Sequence, residues 1–426
     1  MQSQPRSLRK AITLRNAVAL YTSSVLGSGI LVLPGLTAQI AGPGSILAWI
    51  LLSFASYPFA FTFASLSSRR SESGGVYSFA SEAFGLRIAT VTGWLFALWE
   101  VTGAPAVALI AASYVAYAFR LSRAETFIVA FGIILAAFIV NYRGTVVSNK
   151  VQLAVIVSIV ALLLAAIISS SFFVRMQNFV PFIPKGLVPV GTAAALIFWS
   201  YLGYENVSNV AEEFENPQRD FHRSVILSVI LIGVLYTSVA YVTVGTRAYE
   251  AGGSIAPFSA ILSNVLGSYG AAGTAILAVF IIFGLVNAYT TGMSRVFYST
   301  ARDGGFPRAL AHVSGRTNVP DRVLIAMFGC IVPILITYYF TNVNLETALL
   351  VSSGSAILIY VIGFAAGVKI LRMGGARKGL PPLISLVISL LVLPFVGPLL
   401  IVSVIVAAAA MVYYSLATRR PSKEEN

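Results

Sequence analysis

Twelve apolar runs long enough to cross a bilayer fill this chain, at about 14–40, 44–66, 88–118, 124–141, 150–173, 191–211, 224–246, 271–300, 322–340, 345–371, 380–396 and 398–417. In hydrocarbon every peptide N–H and C=O must pair within the protein, so a spanning segment is a helix or a strand of a closed barrel. These runs are long and lack two-residue alternation, which selects helices. The expected fold is therefore an all-α integral membrane protein with twelve transmembrane helices. At roughly 20 residues per span the runs use most of the 426 residues, leaving no room for a sizeable extramembrane domain. Only 10% of residues are charged, against about 25% in a soluble domain, and a water-soluble fold is excluded.

Basic residues orient the bundle. With the N-terminus inside, twenty-three Lys and Arg fall on the cytoplasmic side, while Arg120, Arg123, Arg175, Lys185 and Arg247 fall on the other. That asymmetry predicts both termini inside, an even number of spans and a multi-pass protein of the cytoplasmic membrane. It also accounts for the net charge of +13 without a nucleic-acid partner, because the cations are scattered between apolar runs and share no solvated face. The basic N-terminus has no short apolar core with a cleavage site after it and reads as retained. Cys330 is the single cysteine; it reads as a packing residue inside its span. No GxxxxGK[ST] phosphate loop occurs, so direct ATP hydrolysis is excluded as an energy source, and no cofactor or metal is expected.

Two spans carry the marks of a break. The first contains Gly27, Ser28 and Gly29, with Pro34 after them, so helix propensity is lowest where the ladder should be strongest. An opened ladder there leaves the amides of Ser28 and Gly29 at the start of a second half-helix, with the positive end of its dipole behind them, a place suited to a carboxylate. Close packing of small residues is the equal alternative from this stretch alone. The sixth span repeats the mark with Gly203 among aromatics and Glu205 two residues later. Paired breaks in spans one and six fit an inverted-repeat transporter whose site lies between the broken helices. Unwound carbonyls of the sixth span, such as those of Trp199 and Leu202, suit an ammonium group. Amides on one side and carbonyls on the other describe a receptor for a zwitterion, as an α-amino acid is.

The segments LGSGILVLPG (26–35), SGGVYSFASEAFG with TGWLF (73–85 and 92–96), FWSYLGYENVSNVAEEFENPQRDF (198–221) and NAYTTGMSRVFYSTARDGGFP (287–307) together resemble the amino acid–polyamine–organocation transporter family. The pattern is most similar to its branch of bacterial methionine and branched-chain amino acid exporters. The resemblance implies a five-plus-five inverted repeat with discontinuous helices 1 and 6 and two peripheral helices. In this chain that means a tail at 1–13, repeat one at 14–173, repeat two at 191–371, spans 11 and 12 at 380–417 and a tail at 418–426. It further implies that the substrate carboxylate meets the amides of Ser28 and Gly29 beside Gly27, and that the ammonium meets the carbonyls of Val25, Trp199 and Leu202 beside Gly203. Trp199 matches a gating aromatic, and Ala104, Val107 and Ser353 match pocket positions. The small residues from Gly103 to Ala106 favour a neutral, medium-sized side chain.

Departures from the resemblance bear on coupling. Sodium-coupled relatives by fold carry two hydroxyl residues where this chain has Phe283 and Gly284, and some proton-coupled relatives carry a mid-span lysine where this chain has Ser158 and Ile159. Glu100 and Glu205 are then the acidic residues at membrane depth and the proton-coupling candidates. Glu205 is read as capping amides of the broken helix or as a proton carrier. Glu100 is read as binding a proton, as recognising a cationic amino acid or polyamine, or as pairing with a hydroxyl of a neighbouring helix.

The expected function is secondary active transport of an amino acid by alternating access, proton-coupled or by exchange, with export as the direction the branch resemblance implies. The expected partners are a small amino acid substrate, protons and the lipid bilayer; the oligomeric state is not legible. A channel-like facilitator and a non-transporting sensor or subunit are the competing classes. A channel needs a continuous polar lining or a ring of filter residues, and neither is present in the sequence. His222 and His312 read as solvated loop residues, the run from Glu212 to Arg223 as a charged helix end, and Tyr338 and Tyr339 as interface anchors. Segment 67–85 is expected to hold a short cytoplasmic helix, and segment 248–268 a non-spanning helix acting as a lid or resting on the surface.

Overall fold

The apolar runs are helical over nearly all of their described length, with interruptions at 26–28 and 202–203. The computed structural model describes residues 13–67, 75–144, 149–204, 217–250, 252–373 and 375–418. Within them the helices in chain order are α1 (Leu14–Val25), α2 (Gly29–Ala41), α3 (Ser45–Ser67), α4 (Gly75–Phe84), α5 (Leu86–Phe119), α6 (Arg123–Tyr142), α7 (Asn149–Ser171) and α8 (Leu187–Ile197). They continue with α9 (Pro217–Gly245), α10 (Pro257–Leu266), α11 (Ser268–Arg302), α12 (Asp321–Phe340), α13 (Leu345–Arg372), α14 (Leu380–Val392) and α15 (Leu400–Thr418). No strand occurs among the described residues. Nine helical stretches among them are long and apolar enough to cross a membrane, and two of these, Gly29–Ser67 and Leu380–Ala417, each join two helices across a short 3-10 turn.

Burial separates the centre from the rim. In the most apolar window of α5, 83% is buried, whereas the figure is 17% in Leu380–Ala417, so α5 is core and α14 with α15 lies outermost. The sequence of α5 explains its place: Gly103, Ala104, Pro105, Ala106, Ala108, Ala111 and Ala112 are all buried, and small residues let neighbouring backbones approach closely where lipid gives no hydrophobic drive. Helices α4, α6, α11, α12, α13 and α15 pack directly on it. The last two runs, which merge in the hydropathy pattern, separate at Gly397, whose φ of 70° ends the helical path.

Both non-spanning linkers contain helices. The α4 helix is tied to α13 through the Lys369 ammonium, which donates to the Ala83 carbonyl at 2.6 Å. In α10 the residues Pro257 to Ile261 are buried while Val265 and Leu266 are exposed, so it is a half-seated helix. Three expectations need correction. Tyr338 is not an interface anchor: it is buried, and its hydroxyl donates to the Thr102 carbonyl at 3.3 Å, tying α12 to α5. Cys330 is exposed rather than packed, because it lies on the outward face of α12. His312 is not merely solvated, since its Nδ1 lies 2.7 Å from the Asp321 carboxylate.

Candidate functional site

The first break falls at the two glycines. Helix α1 ends at Val25, Leu26 to Ser28 lie outside any helix, and α2 begins at Gly29. Ser28 caps α2 without a side-chain hydrogen bond, and its amide has no partner among the described residues. The first helical amides have no preceding turn to bond; of these, the Leu31 amide closes back on the Ser28 carbonyl at 3.1 Å. The 13 residues of α2 therefore aim their positive dipole end at the break.

The second break has a different local cause. Helix α8 tightens into a 3-10 turn over Phe198–Tyr201, then Leu202 turns extended with ψ of 150°. Gly203 follows with φ of 118°, a conformation open in practice to glycine alone. Its amide donates to the Tyr360 hydroxyl of α13 at 3.1 Å.

Side chains hold the two breaks against each other. The Trp199 indole N–H donates to the Ser28 hydroxyl at 3.3 Å. A methyl group on Gly29 would meet the Ser200 hydroxyl below contact distance and Trp199 Cδ1 at 3.0 Å, so only glycine fits between them. From α9 the buried Tyr236 hydroxyl reaches the Val25 carbonyl at 3.0 Å and the Ser200 carbonyl at 3.3 Å. One phenol proton thus serves both breaks. The Val25 and Trp199 carbonyls each already accept one hydrogen bond, the latter from the Leu202 amide at 3.3 Å, which leaves each a second lone pair. Replacing Tyr236 by phenylalanine leaves two buried carbonyls short of a donor, a loss of about 1–3 kcal/mol. The detergent-purified variant is expected to melt several degrees earlier; an unchanged melting temperature would show that the hydroxyl contributes nothing.

A cavity of about 40 Å³ opens between the breaks and is lined by Val25, Gly27, Ser28, Trp99, Glu100, Gly103, Ala104, Val107, Trp199, Leu202, Leu285, Val286 and Tyr289. Its walls come from both breaks, from α5 and from α11. Trp99 meets Trp199 and Tyr289 edge to face, each with ring centroids 5.8 Å apart, so three aromatics close one side. Glu100 is 5% exposed and its Oε1 is buried without a hydrogen-bond partner among the described residues. The hydroxyl pairing considered for it is not formed there.

Of the residues singled out from sequence, Val25, Gly27, Ser28, Glu100, Ala104, Val107, Trp199 and Leu202 meet on this cavity. Gly29 and Gly203 sit immediately behind the lining as the hinges of the two breaks. Ser353 does not line it: it is buried, its hydroxyl is unpaired among the described residues, and its neighbour Ser352 reaches the wall by donating to the Trp99 carbonyl at 2.9 Å. Glu205, Glu212, Glu213 and Glu215 lie outside the described residues, as do the side chains of Arg219, Asp220 and His222. Sequence reasoning missed Trp99, Leu285, Val286 and Tyr289 as lining. An aromatic flanking a membrane-depth carboxyl was the one available signal, at Trp99.

Comparison with known proteins shows the family. The profile of the family described as amino acid permease matches residues 12–421. An uncharacterized amino acid permease of Bacillus subtilis, YecA, is 33% identical over 364 residues, covering 85% of this chain and 86% of the relative. The L-methionine/branched-chain amino acid exporter YjeH of Escherichia coli is 28% identical over 396 residues, 92% of each chain. Cationic amino acid transporter 3 of Arabidopsis thaliana, described as mitochondrial, is 27% identical over 386 residues, 84% of this chain and 62% of the relative.

Proposed function

The chain belongs to the amino acid permease family and is a multi-pass membrane transporter for amino acids rather than an enzyme, and from that premise we propose how it works. It is a secondary carrier that binds a neutral amino acid in the cavity between the two helix breaks and exposes it alternately to either side. The carboxylate rests on the amides of Ser28 and Gly29 at the positive end of α2. The ammonium takes the spare lone pairs of the Val25, Trp199 and Leu202 carbonyls, and the side chain points toward Ala104 and Val107. Trp199 is the gate on this cavity. The surrounding frame is a twelve-span bundle, with spans 1–5 (14–173) and 6–10 (191–371) as inverted repeats, in the cytoplasmic membrane with both termini inside.

The observation that carries this reading is the meeting of two unwound backbones on one small cavity, the first offering amides beside the Val25 carbonyl and the second offering carbonyls. Such a pair of poles grips a zwitterion and gives a simple anion or cation only half its contacts. The likeness to the methionine and branched-chain exporter supports a medium-sized apolar side chain and outward net transport. A second reading rests on Glu100, whose unpaired carboxyl on the wall is a natural partner for a cationic side chain, and the plant cationic transporter is a relative.

Counterflow in proteoliposomes tests the function. Labelled methionine, leucine, isoleucine or valine is expected to enter vesicles preloaded with the unlabelled amino acid, saturably and with the purified chain alone. If none of the twenty amino acids exchanges at any pH gradient, transport is refuted; binding without exchange would favour a sensor.

A further inference from the structure

A second, larger cavity, of about 780 Å³, lies at the end of the bundle where α7 and α9 both finish. It is lined by Phe172, Phe173, Val174, Arg175, Gln177, Asn178, Thr246, Arg247, Glu250 and Asn264. The spanning stretch of α7 ends at Ser171 and that of α9 at Gly245. Arg175 and Arg247 therefore follow the ends of these two apolar stretches by four and two residues. A bilayer presents its phosphates just beyond the hydrocarbon that such stretches span.

Local backbone bonds hold the two arginines together. The Arg175 amide donates to the Gly245 carbonyl at 3.0 Å, and the Asn178 side-chain amide donates to the same oxygen at 2.7 Å. Arg247 sits just beyond, with φ of 53°, at a helix end where glycine adopts the left-handed region freely. Its partner Glu250 lies at 3.5 Å with both side chains about half exposed, 53% and 52%, and such a surface pair contributes little. Arg175 has no ion-pair partner among the described residues. Two guanidinium forks with several free donors thus share one cavity, and guanidinium matches phosphate oxygens in bidentate geometry. Beside them Phe172 and Phe173 are 86% and 53% exposed at the end of α7, open to the acyl chains of a lipid.

We propose that this cavity binds the phosphate headgroup of an anionic phospholipid, with Arg175 and Arg247 on the phosphate and Phe172 and Phe173 against its acyl chains. The choice of a lipid over a soluble anion rests on the phenylalanines: a free phosphate has no use for two exposed aromatic rings next to its cations. The inference depends on the chain spanning a membrane and not on which substrate it carries.

Native mass spectrometry of the intact protein in detergent, doped with phosphatidylglycerol or with phosphatidylcholine of the same chains, tests it. The anionic lipid is expected to give roughly fivefold more adduct, since the cavity holds one more arginine than carboxylate. The preference should vanish in Arg175→Gln/Arg247→Gln and persist in Arg120→Gln/Lys185→Gln, an equal charge loss outside the cavity. Glu250→Gln should raise it, which keeps the test valid if the double variant fails to fold. Equal adducts from both lipids, or a preference that survives the double variant, overturns the proposal. Inorganic phosphate that displaces the anionic lipid at low millimolar concentration overturns the lipid assignment in favour of a soluble anion.

Discussion

Gly29→Ala is expected to reduce counterflow roughly ten- to hundredfold while leaving the protein in the membrane. The added methyl would overlap the Ser200 hydroxyl and press on Trp199 Cδ1 at 3.0 Å and Leu33 Cδ1 at 3.2 Å. Overpacking of this kind costs about 1–3 kcal/mol, and each 1.4 kcal/mol is worth about tenfold in binding. The cost falls on the contact between the two breaks, so it separates the amide pole from the carbonyl pole instead of unfolding a helix. Ser200→Ala removes the nearest obstacle and should return part of the lost activity in the double variant, because the Ser200 hydroxyl has no hydrogen bond among the described residues to lose. Independent, additive losses in the two variants would show that the breaks are not pressed together in the transporting state.

Position 29 also shows why the breaks are readable in a bare sequence. A glycine on each side of a serine weakens a helix locally, whatever the rest of the chain does, and Gly203 needs a φ of 118° that its neighbours could not adopt. The apolar runs are legible for a similar reason, since each must satisfy its own backbone in lipid. What closes the cavity is less legible. Leu285, Val286 and Tyr289 reach it from α11, nearly 200 residues from Glu100, and nothing local marks which face of α11 turns inward. Tyr236 left a weak trace: a phenol in mid-span needs a partner for its hydroxyl, and the partner here is the pair of broken backbones. Tyr338 misled because a tyrosine one turn from a span end reads as an anchor, whereas the packing of α12 on α5 turns it inward to the Thr102 carbonyl.

Glu100→Gln is the second substitution with a large expected effect, and it separates the two uses of the carboxyl. A carboxylate on the wall of a closing apolar cavity, with no partner among the described residues, is stable as an anion only while water or a cation reaches it. If a proton fills that role, glutamine copies the protonated side chain. Counterflow of methionine or leucine by the variant is then independent of pH and matches the native rate at low pH, where native Glu100 is protonated. A proton gradient no longer drives accumulation. If a cationic side chain fills the role, lysine and arginine compete with leucine in the native protein, and the variant loses that competition by tenfold or more, the scale expected for a charge-assisted bond, while leucine exchange keeps its pH profile. A variant identical to native protein in both measurements would remove Glu100 from coupling and from substrate recognition alike. The zwitterion's two poles would then rest on the broken backbones alone, with the wall of α5 setting only the size of the side chain.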